Sequence, residues 1–228
     1  MKRNYQQLAD YLCKLTEECL WKSSIFSDVI SHSNYKLKTR TGCGLATYCK
    51  FNPREKVFTI TYGKKMIESK FNQQQAKLWM TYREVLSRGY YNQNTSLINV
   101  LSHTVCHEFA HIIQQLTSPA IKGSIHNANF YAILDKIHSS DEANTVREKL
   151  ENYFQSNAIS IEYLKVPAIE ASKITLAIDI DSNVMFIHKK KEYSGTVIKI
   201  NKKTVHVKVK KLLRHTTWKV PKHCIEVY

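Results

Sequence analysis

The sequence predicts an α+β protein with a mainly helical first part and a small all-β second part. Up to about residue 157, apolar residues recur at intervals of three and four, which is typical of amphipathic helices. From Leu176 onward they alternate with polar residues, which is typical of half-buried strands. With 228 residues, 43% of them hydrophobic, the chain is long enough for one medium domain and one small one.

The first part is predicted to begin with an amphipathic helix, because apolar residues recur at helical spacing from Tyr5 to Cys19. Two runs rich in β-branched and aromatic residues follow at 44–51 and 56–62, and the Asn-Pro-Arg-Glu between them is typical of a turn. Together they predict a β-hairpin. Further helices are predicted over 73–88 and 142–155.

The most informative motif lies in an apolar-periodic helix predicted over 97–113. Within it, His107, Glu108 and His111 form an HExxH motif. Residues four apart lie one turn apart on the same helix face, so both imidazoles can reach one metal ion. Ionisable groups in such an apolar helix need a partner, and a metal ion supplies one. The glutamate can then deprotonate a metal-bound water, so the motif predicts zinc-dependent hydrolysis.

A catalytic zinc site usually has three protein ligands and one open position, so a third ligand is expected outside the motif. The preferred candidate is His126, which lies 15 residues after His111 and just before a helix predicted to begin near Phe130. A chain that turns back after Thr117-Ser118-Pro119 could present it to the metal. The other candidates are His138, Glu142, Glu148 and Glu151.

The pattern of these histidines resembles the SprT-like (Spartan-related) zinc metalloproteases. The resembling residues are the HExxH helix followed by His126-Asn127-Ala128-Asn129-Phe130, and the segment from Gly44 to Tyr62 is similar to the family's hairpin. The family usually has Gly after the third His, where this chain has Asn127. Asn shares some of glycine's tolerance of left-handed backbone and is a good helix cap, so the change is mild.

The resemblance implies a zincin-like metalloprotease domain over residues 1–157, with zinc held by His107, His111 and His126. It implies an endopeptidase in which Glu108 is the general base for a zinc-activated water. By analogy with the family, the protein substrates would be DNA-associated or crosslinked proteins. In zincins an edge strand beside the cleft often pairs with an extended substrate, and one strand of the hairpin is expected to do so here.

Two supporting roles have candidates in the sequence. One is the orientation of a ligand imidazole by a carboxylate or carbonyl, for which Asp135 is the candidate. The other is the stabilisation of the oxyanion, for which the candidates are Tyr131, His103, Tyr90 and Tyr91.

The second part is predicted as a connector over 158–175 followed by a small basic SH3-like β-barrel over 176–228. Tyr193 opens one strand, and Val205, Val207 and Val209 alternate with basic residues in the next. Four or five short strands within about 50 residues are typical of small barrels.

The charge of this second part indicates a polyanionic partner. Residues 176–228 hold 12 Lys/Arg and 4 Asp/Glu, a balance of +8 within the chain's net +15. With Tyr193 and Trp218 interleaved among them, these cations predict largely sequence-independent contact with the phosphates of DNA or RNA. The residues expected to make it are Lys189, Lys190, Lys191, Lys202, Lys203, Lys208, Lys210, Lys211 and Arg214.

The sequence also argues against several classes of protein. It has no apolar run of 18 residues and no apolar leader at its N-terminus, so we expect neither a membrane partner nor secretion. The six cysteines include no CxxC pair, which argues against a zinc ribbon and for reduced thiols. An intracellular protein is therefore expected, either cytoplasmic or associated with the nucleus or nucleoid.

One alternative function comes from a different class. The chain could be a non-proteolytic nucleic-acid-binding protein whose zinc site is structural or degenerate. A structural zinc site is closed by four protein ligands, whereas a catalytic site keeps one position open. A fourth histidine, cysteine or acid at the metal would favour this alternative.

Overall fold

A computed structural model of the chain describes residues 4–118, 124–157, 159, 178–188, 191–201, 204–211, 214–221 and 225–227. The chain divides into two compact units, Met1–Ala168 and Ile169–Tyr228. The mixed α+β class predicted from the sequence is confirmed. The predicted connector at 158–175 lies outside the described residues apart from Ile159.

The first unit alternates helices with one small sheet. Its elements are α1 (Tyr5–Leu15), a π-helical turn (Thr16–Trp21), α2 (Ser27–Ser33), β1 (Lys36–Gly42), β2 (Tyr48–Asn52), β3 (Val57–Gly63), α3 (Lys64–Lys70), α4 (Gln73–Ala76), α5 (Met80–Arg88), a short turn (Tyr90–Gln93), α6 (Leu97–Thr117), α7 (Ala128–Ser139) and α8 (Asp141–Ser156).

The sheet has the strand order β1-β3-β2, with β3 in the centre. The antiparallel pair β2–β3 is the predicted hairpin, with Cys49 opposite Ile60. Strand β1 pairs with β3 in parallel and was not predicted. Its sequence, Lys-Leu-Lys-Thr-Arg-Thr-Gly, contains one strongly apolar residue, and none of its side chains is fully buried. Its position therefore depends on pairing with β3 rather than on an apolar pattern of its own.

Helix α6 is the centre of the first unit. The hydroxyl of Ser96 caps it by accepting a hydrogen bond from the amide of Asn99 at 3.3 Å. Helices α7 and α8 pack against it, and so do α5 and β2. Leu101, Val105 and Phe109 are fully buried. A helix enclosed on nearly all sides is apolar on nearly all sides, which explains why this segment is so hydrophobic.

The helix predicted over 73–88 is in fact two helices, α4 and α5. Trp79 between them has extended backbone (φ −79°, ψ 140°), and its indole N–H donates to Ser69 Oγ at 2.7 Å. The chain turns at Trp79, and Leu78 and Leu86, two apolar residues of the predicted helix, are 38% and 37% exposed. The prediction missed this break because the residues on both sides of it are good helix formers.

The second unit is an antiparallel sheet with strand order β7-β6-β5-β4-β8. One face is apolar and buried, with Val197, Val205, Val207, Val209 and Val220 in its core. The all-β character of this part is confirmed, while its assignment as an SH3-like barrel stays a prediction. The strands are β4 (Asn183–His188), β5 (Lys191–Ile200), β6 (Thr204–Lys211), β7 (Arg214–Pro221) and β8 (Glu226–Val227).

Candidate metal centre

Three histidines converge at the middle of the first unit. Helix α6 places His107 and His111 one turn apart, with ring centroids separated by 5.0 Å. The segment after α6 brings His126 back to them, and its Nε2 lies 3.2 Å from the Nε2 of each of the other two. The grouping inferred from the motif and the preferred third ligand is therefore present in space.

The position of His126 is fixed by hydrogen bonds on both sides. The amide of Gln114 on α6 donates to the carbonyl of Ile125 at 2.9 Å and to Asn127 Oδ1 at 3.1 Å. The same Oδ1 accepts from the backbone N–H of Phe130 at 3.1 Å and caps α7. Asn127 is thus the expected cap of α7 and also one of the residues whose hydrogen bonds hold the loop with His126 against α6.

An aromatic ring packs against all three imidazoles. The ring centroid of Phe130 lies 5.0 Å from that of His107, 4.5 Å from that of His111 and 4.8 Å from that of His126. Phe130 itself is fully buried. It therefore limits the movement of the imidazoles and keeps one side of the cluster dry.

Burial favours the neutral form of two of these imidazoles. Burial, and to a lesser degree the neighbouring His107 and His126, lower the pKa of His111 to about 3. Burial, followed by His107, also lowers the pKa of His126. His107 Nδ1 lies 2.8 Å from Glu84 Oε2, and since a carboxylate can only accept, this nitrogen is the donor and Nε2 faces the other imidazoles. Three converging imidazole nitrogens match the three protein ligands of a catalytic zinc site.

Glu108 completes the cluster. It is buried, and its Oε2 has no hydrogen-bond partner among the described residues. Burial raises the pKa of its carboxyl to about 7, against the lowering effect of His107 and Lys70 and of a hydrogen bond from the Cys49 backbone. A buried carboxylate oxygen without a partner is costly, and a water or cation beside it would remove that cost.

The residue that orients His107 is Glu84 on α5, which the sequence did not reveal. Its Oε2 accepts from His107 Nδ1 and from His103 Nε2 at 3.0 Å, and its Oε1 accepts from the hydroxyl of Tyr131 at 3.2 Å. Burial alone would raise the pKa of Glu84, but the hydrogen bonds from His103 and His107 lower it well below its ordinary value. The only indication of Glu84 in the sequence is an acidic residue between Tyr82 and Val85, on a helix face that is apolar at those two positions.

A second group of ligand-forming side chains shares His107 with the first. Glu84, His103 and His107 lie close enough to hold a metal ion, as do His107, His111 and His126. In the second group, however, the atoms already satisfy one another through hydrogen bonds. The network continues from His103 Nδ1 to His138 Nε2 at 2.9 Å, and burial lowers the pKa of His103 to about 4.

The other predicted ligand candidates lie elsewhere. His138 is bonded to His103, and Glu142 accepts from the backbone N–H of Ile25 at 2.7 Å. Glu148 and Glu151 lie beside Arg147, at 4.0 Å and 3.2 Å.

Asp135 is wrong as the carboxylate that orients an imidazole, because it pairs with Arg88 and accepts from Tyr90 Oη at 2.6 Å. The oxyanion candidates are also occupied. Tyr91 donates to the Ala143 carbonyl at 3.3 Å, and Tyr131 and His103 are bonded to Glu84.

The histidines and Glu108 open onto a cleft of about 410 Å³. Strand β2 forms one wall of it through Thr47, just before the strand, and through Tyr48, Cys49 and Phe51. Among the described residues β2 pairs only with β3, so its other edge has no strand partner. The cleft therefore combines the candidate metal site with a free strand edge.

The predicted nucleic-acid contacts are described only in part. Lys208 is exposed on β6, on the sheet face opposite the buried valines, where it pairs with Thr196 and Thr217. On the same face, Lys199 and Lys219 flank His206, and both are exposed. The structure describes the backbone but not the side chains of Lys191, Lys210, Lys211 and Arg214, while Lys189, Lys190, Lys202 and Lys203 lie outside the described residues.

The two aromatic residues expected among these cations contribute to the core instead. Tyr193 and Trp218 are half-buried and pack with Phe186, at centroid distances of 5.6 Å and 5.8 Å from its ring.

Comparisons of the chain with protein-family models, with curated proteins and with solved structures found no match in any of the three. In the part of the chain that the structure describes, no helix has the length and apolarity needed to cross a membrane.

Proposed function

We propose that this protein is a zinc-dependent endopeptidase of the SprT-like type. His107, His111 and His126 would hold the zinc ion, and Glu108 would be the general base. The observation that carries the proposal is the convergence of three imidazole nitrogens beside a buried carboxylate oxygen that has no partner of its own. The fold class of a zincin and the family relationship are parts of the same proposal.

Zinc bound at such a site supplies Lewis acidity toward the scissile carbonyl and a nucleophile at neutral pH. Glu108 would take a proton from the attacking water and pass it to the leaving amine. A carboxylate beside the metal-bound water can perform both transfers. Glu84 holds His107 in the tautomer whose Nε2 faces the other ligands.

The free edge of β2 is the proposed binding site for the substrate backbone. An extended chain that pairs with this edge would pass close to Glu108, because Glu108 and the β2 residues Tyr48, Cys49 and Phe51 line the same cleft. Backbone pairing binds a polypeptide without selecting its side chains. This supports an endopeptidase with broad tolerance along most of the bound segment.

The number of ligands favours this function over a structural zinc site. Among the described residues, the group His107, His111 and His126 has three members rather than the four of a closed site. The exposed Lys199, Lys208 and Lys219 support an additional contact with DNA or RNA. We therefore propose DNA-associated or crosslinked proteins as substrates, inside the cell.

The test is cleavage of casein and histones by the zinc-loaded full chain, with and without single-stranded DNA. Glu108→Gln is expected to abolish cleavage while keeping zinc content and thermal stability. Glu68→Gln, which alters an exposed glutamate on α3, is the matched control and is expected to cleave normally. Proteolysis retained in Glu108→Gln would contradict the mechanism, and bound zinc without cleavage under any condition would favour the binding protein.

A further inference from the structure

Lys70, the last residue of α3, has a buried side chain in the wall of the cleft. It is only 3% exposed, and it lines the same cavity as Glu108 and His107. Its ammonium donates to Thr81 Oγ1 at 2.8 Å and to Thr104 Oγ1. The indole ring of Trp79 lies beneath it, with the ring centroid 5.7 Å from Nζ.

This ammonium lacks the partner that a buried charge normally has. Among the described residues, no carboxylate forms an ion pair with it, and its two acceptors are neutral hydroxyls. An ammonium has three N–H donors, so one remains for a further acceptor. Burial lowers the pKa of Lys70 to about 7, although Glu108 and Glu84 counteract this by raising it. A buried cation is costly unless an anion accompanies it.

The position of Lys70 relates it directly to the candidate catalytic group. Thr104, which accepts from Lys70, lies one turn before Glu108 on α6, and one turn spans about 5.4 Å. The cleft that Lys70 lines has largely apolar walls, which include Phe58, Met66, Trp79 and Met80. A side chain next to the bond cleaved at Glu108 could therefore enter this pocket and reach the ammonium.

We propose that Lys70 anchors a subsite of the cleft that receives a carboxylate of the substrate, on a residue adjacent to the scissile bond. The proposal rests on the proposed peptidase function. Lys70 is then a specificity-determining residue, and the substrate class is peptides with an anionic group beside the cleavage site. The carboxylate could be an aspartate or glutamate side chain or the C-terminal carboxylate of the chain.

Binding is the first measurement, because it does not depend on turnover. The zinc-loaded full chain carrying Glu108→Gln is titrated with fluorescent, C-terminally amidated peptides that differ only in Glu or Gln at one position. The Glu peptide is expected to bind about tenfold more tightly at one position of the series, as for a hydrogen bond to a charged group. Adding Lys70→Met is expected to bring the ratio of the two Kd values to about one.

Two further variants make the comparison interpretable. Lys65→Met removes an exposed lysine from the same helix and is expected to leave the ratio unchanged. Lys70→Gln removes the charge but can still bond the two threonine hydroxyls, so it serves if Lys70→Met does not fold. Equal affinity for Glu and Gln peptides at every position, together with no gain in affinity when the C-terminus is left free instead of amidated, would overturn the proposal. So would a preference that survives both Lys70 variants.

Cleavage of a peptide mixture by the Glu108-containing chain then distinguishes the two sources of carboxylate. Acidic residues enriched beside internal cleavage sites would identify a side chain, while release of the last residue only from peptides with a free C-terminus would identify the terminal carboxylate. Charge-dependent binding without cleavage of any peptide would contradict the peptidase function and leave the anion subsite supported. Cleavage with no effect of Lys70→Met would support the peptidase and reject the subsite.

Discussion

The carboxylate of Glu84 connects the candidate metal site to a buried network behind it. One of its oxygens accepts from both His107 and His103, so it holds two imidazoles in defined tautomers. Such partners orient metal ligands and raise their basicity. Glu108 and Glu84 thus have different surroundings: one has an oxygen with no partner, and the other is bonded through both oxygens.

Replacement of Glu84 is expected to weaken zinc binding. In Glu84→Gln the amide can accept one imidazole proton, but it provides no negative charge beside His107. We expect zinc affinity to fall by about 10- to 100-fold, measured by competition with a chromophoric chelator. The exposed Glu68→Gln is the control and should bind zinc as the unaltered chain does. Unchanged affinity in Glu84→Gln would show that the hydrogen bond to His107 does not support the metal site.

At the scale of secondary-structure elements, the cleft depends on how β2 is held beside α6. The loop before β2 packs against the end of β3 at Gly63. A Cβ at Gly63 would lie 2.5 Å from the carbonyl oxygen of Gly44 and 2.6 Å from that of Ala46. Gly63 N–H also donates to Thr47 Oγ1 at 3.1 Å. The absent side chain at Gly63 therefore allows the cleft wall to sit close to the sheet.

Gly63→Ala is expected to displace this loop and destabilise the first unit. Because the contacts are with backbone oxygens rather than with flexible side chains, we expect a loss of about 1–3 kcal/mol in the free energy of unfolding, measured by urea denaturation. Gly44→Ala is the matched control, since the nearest atom to its added Cβ would be 3.8 Å away. If both variants are equally stable, the loop is not held as described.

At the scale of the whole molecule, the two units have separate predicted tasks. The first carries the cleft, and the second presents exposed lysines on a sheet whose opposite face is buried. Binding of a polyanion through this face would depend on phosphate contacts and therefore on salt concentration. The net charge of +15 favours association of the whole chain with any nucleic acid, so the contribution of this face must be separated from that of the total charge.

The triple variant Lys199→Ala, Lys208→Ala, Lys219→Ala is expected to weaken binding to single-stranded DNA. Each lost phosphate contact lowers the slope of log K against log salt by about 0.7, so three contacts lower it by about 2. Fluorescence anisotropy over a range of salt concentrations measures the slope. A triple variant of exposed lysines in the first unit, Lys36, Lys38 and Lys50, loses the same charge and is the control. Equal effects of both variants would indicate only a dependence on net charge.

The predictions from sequence succeeded where the signal was local. The HExxH motif lies on a helix, the hairpin β2–β3 pairs as expected, and the second part is all β. His126 could also be preferred, because the breaks after α6 and before α7 limit how far the chain can travel. Strand β1 and the division at Trp79 were missed, since each is determined by contacts with residues distant in sequence.

The sequence by itself determined the two-part α+β character, the position of the motif and the choice of candidate ligand histidines, because these depend on periodicity and on spacing along the chain. Only the tertiary structure decided that Glu84 and Lys70, on α5 and α3, face this site. The residues next to Glu84 and Lys70 in the sequence do not indicate this position, because the burial of a charged side chain depends on residues that are distant in sequence. Packing of α3 and α5 against α6 places an uncompensated ammonium in the wall of the cleft and an orienting carboxylate behind His107.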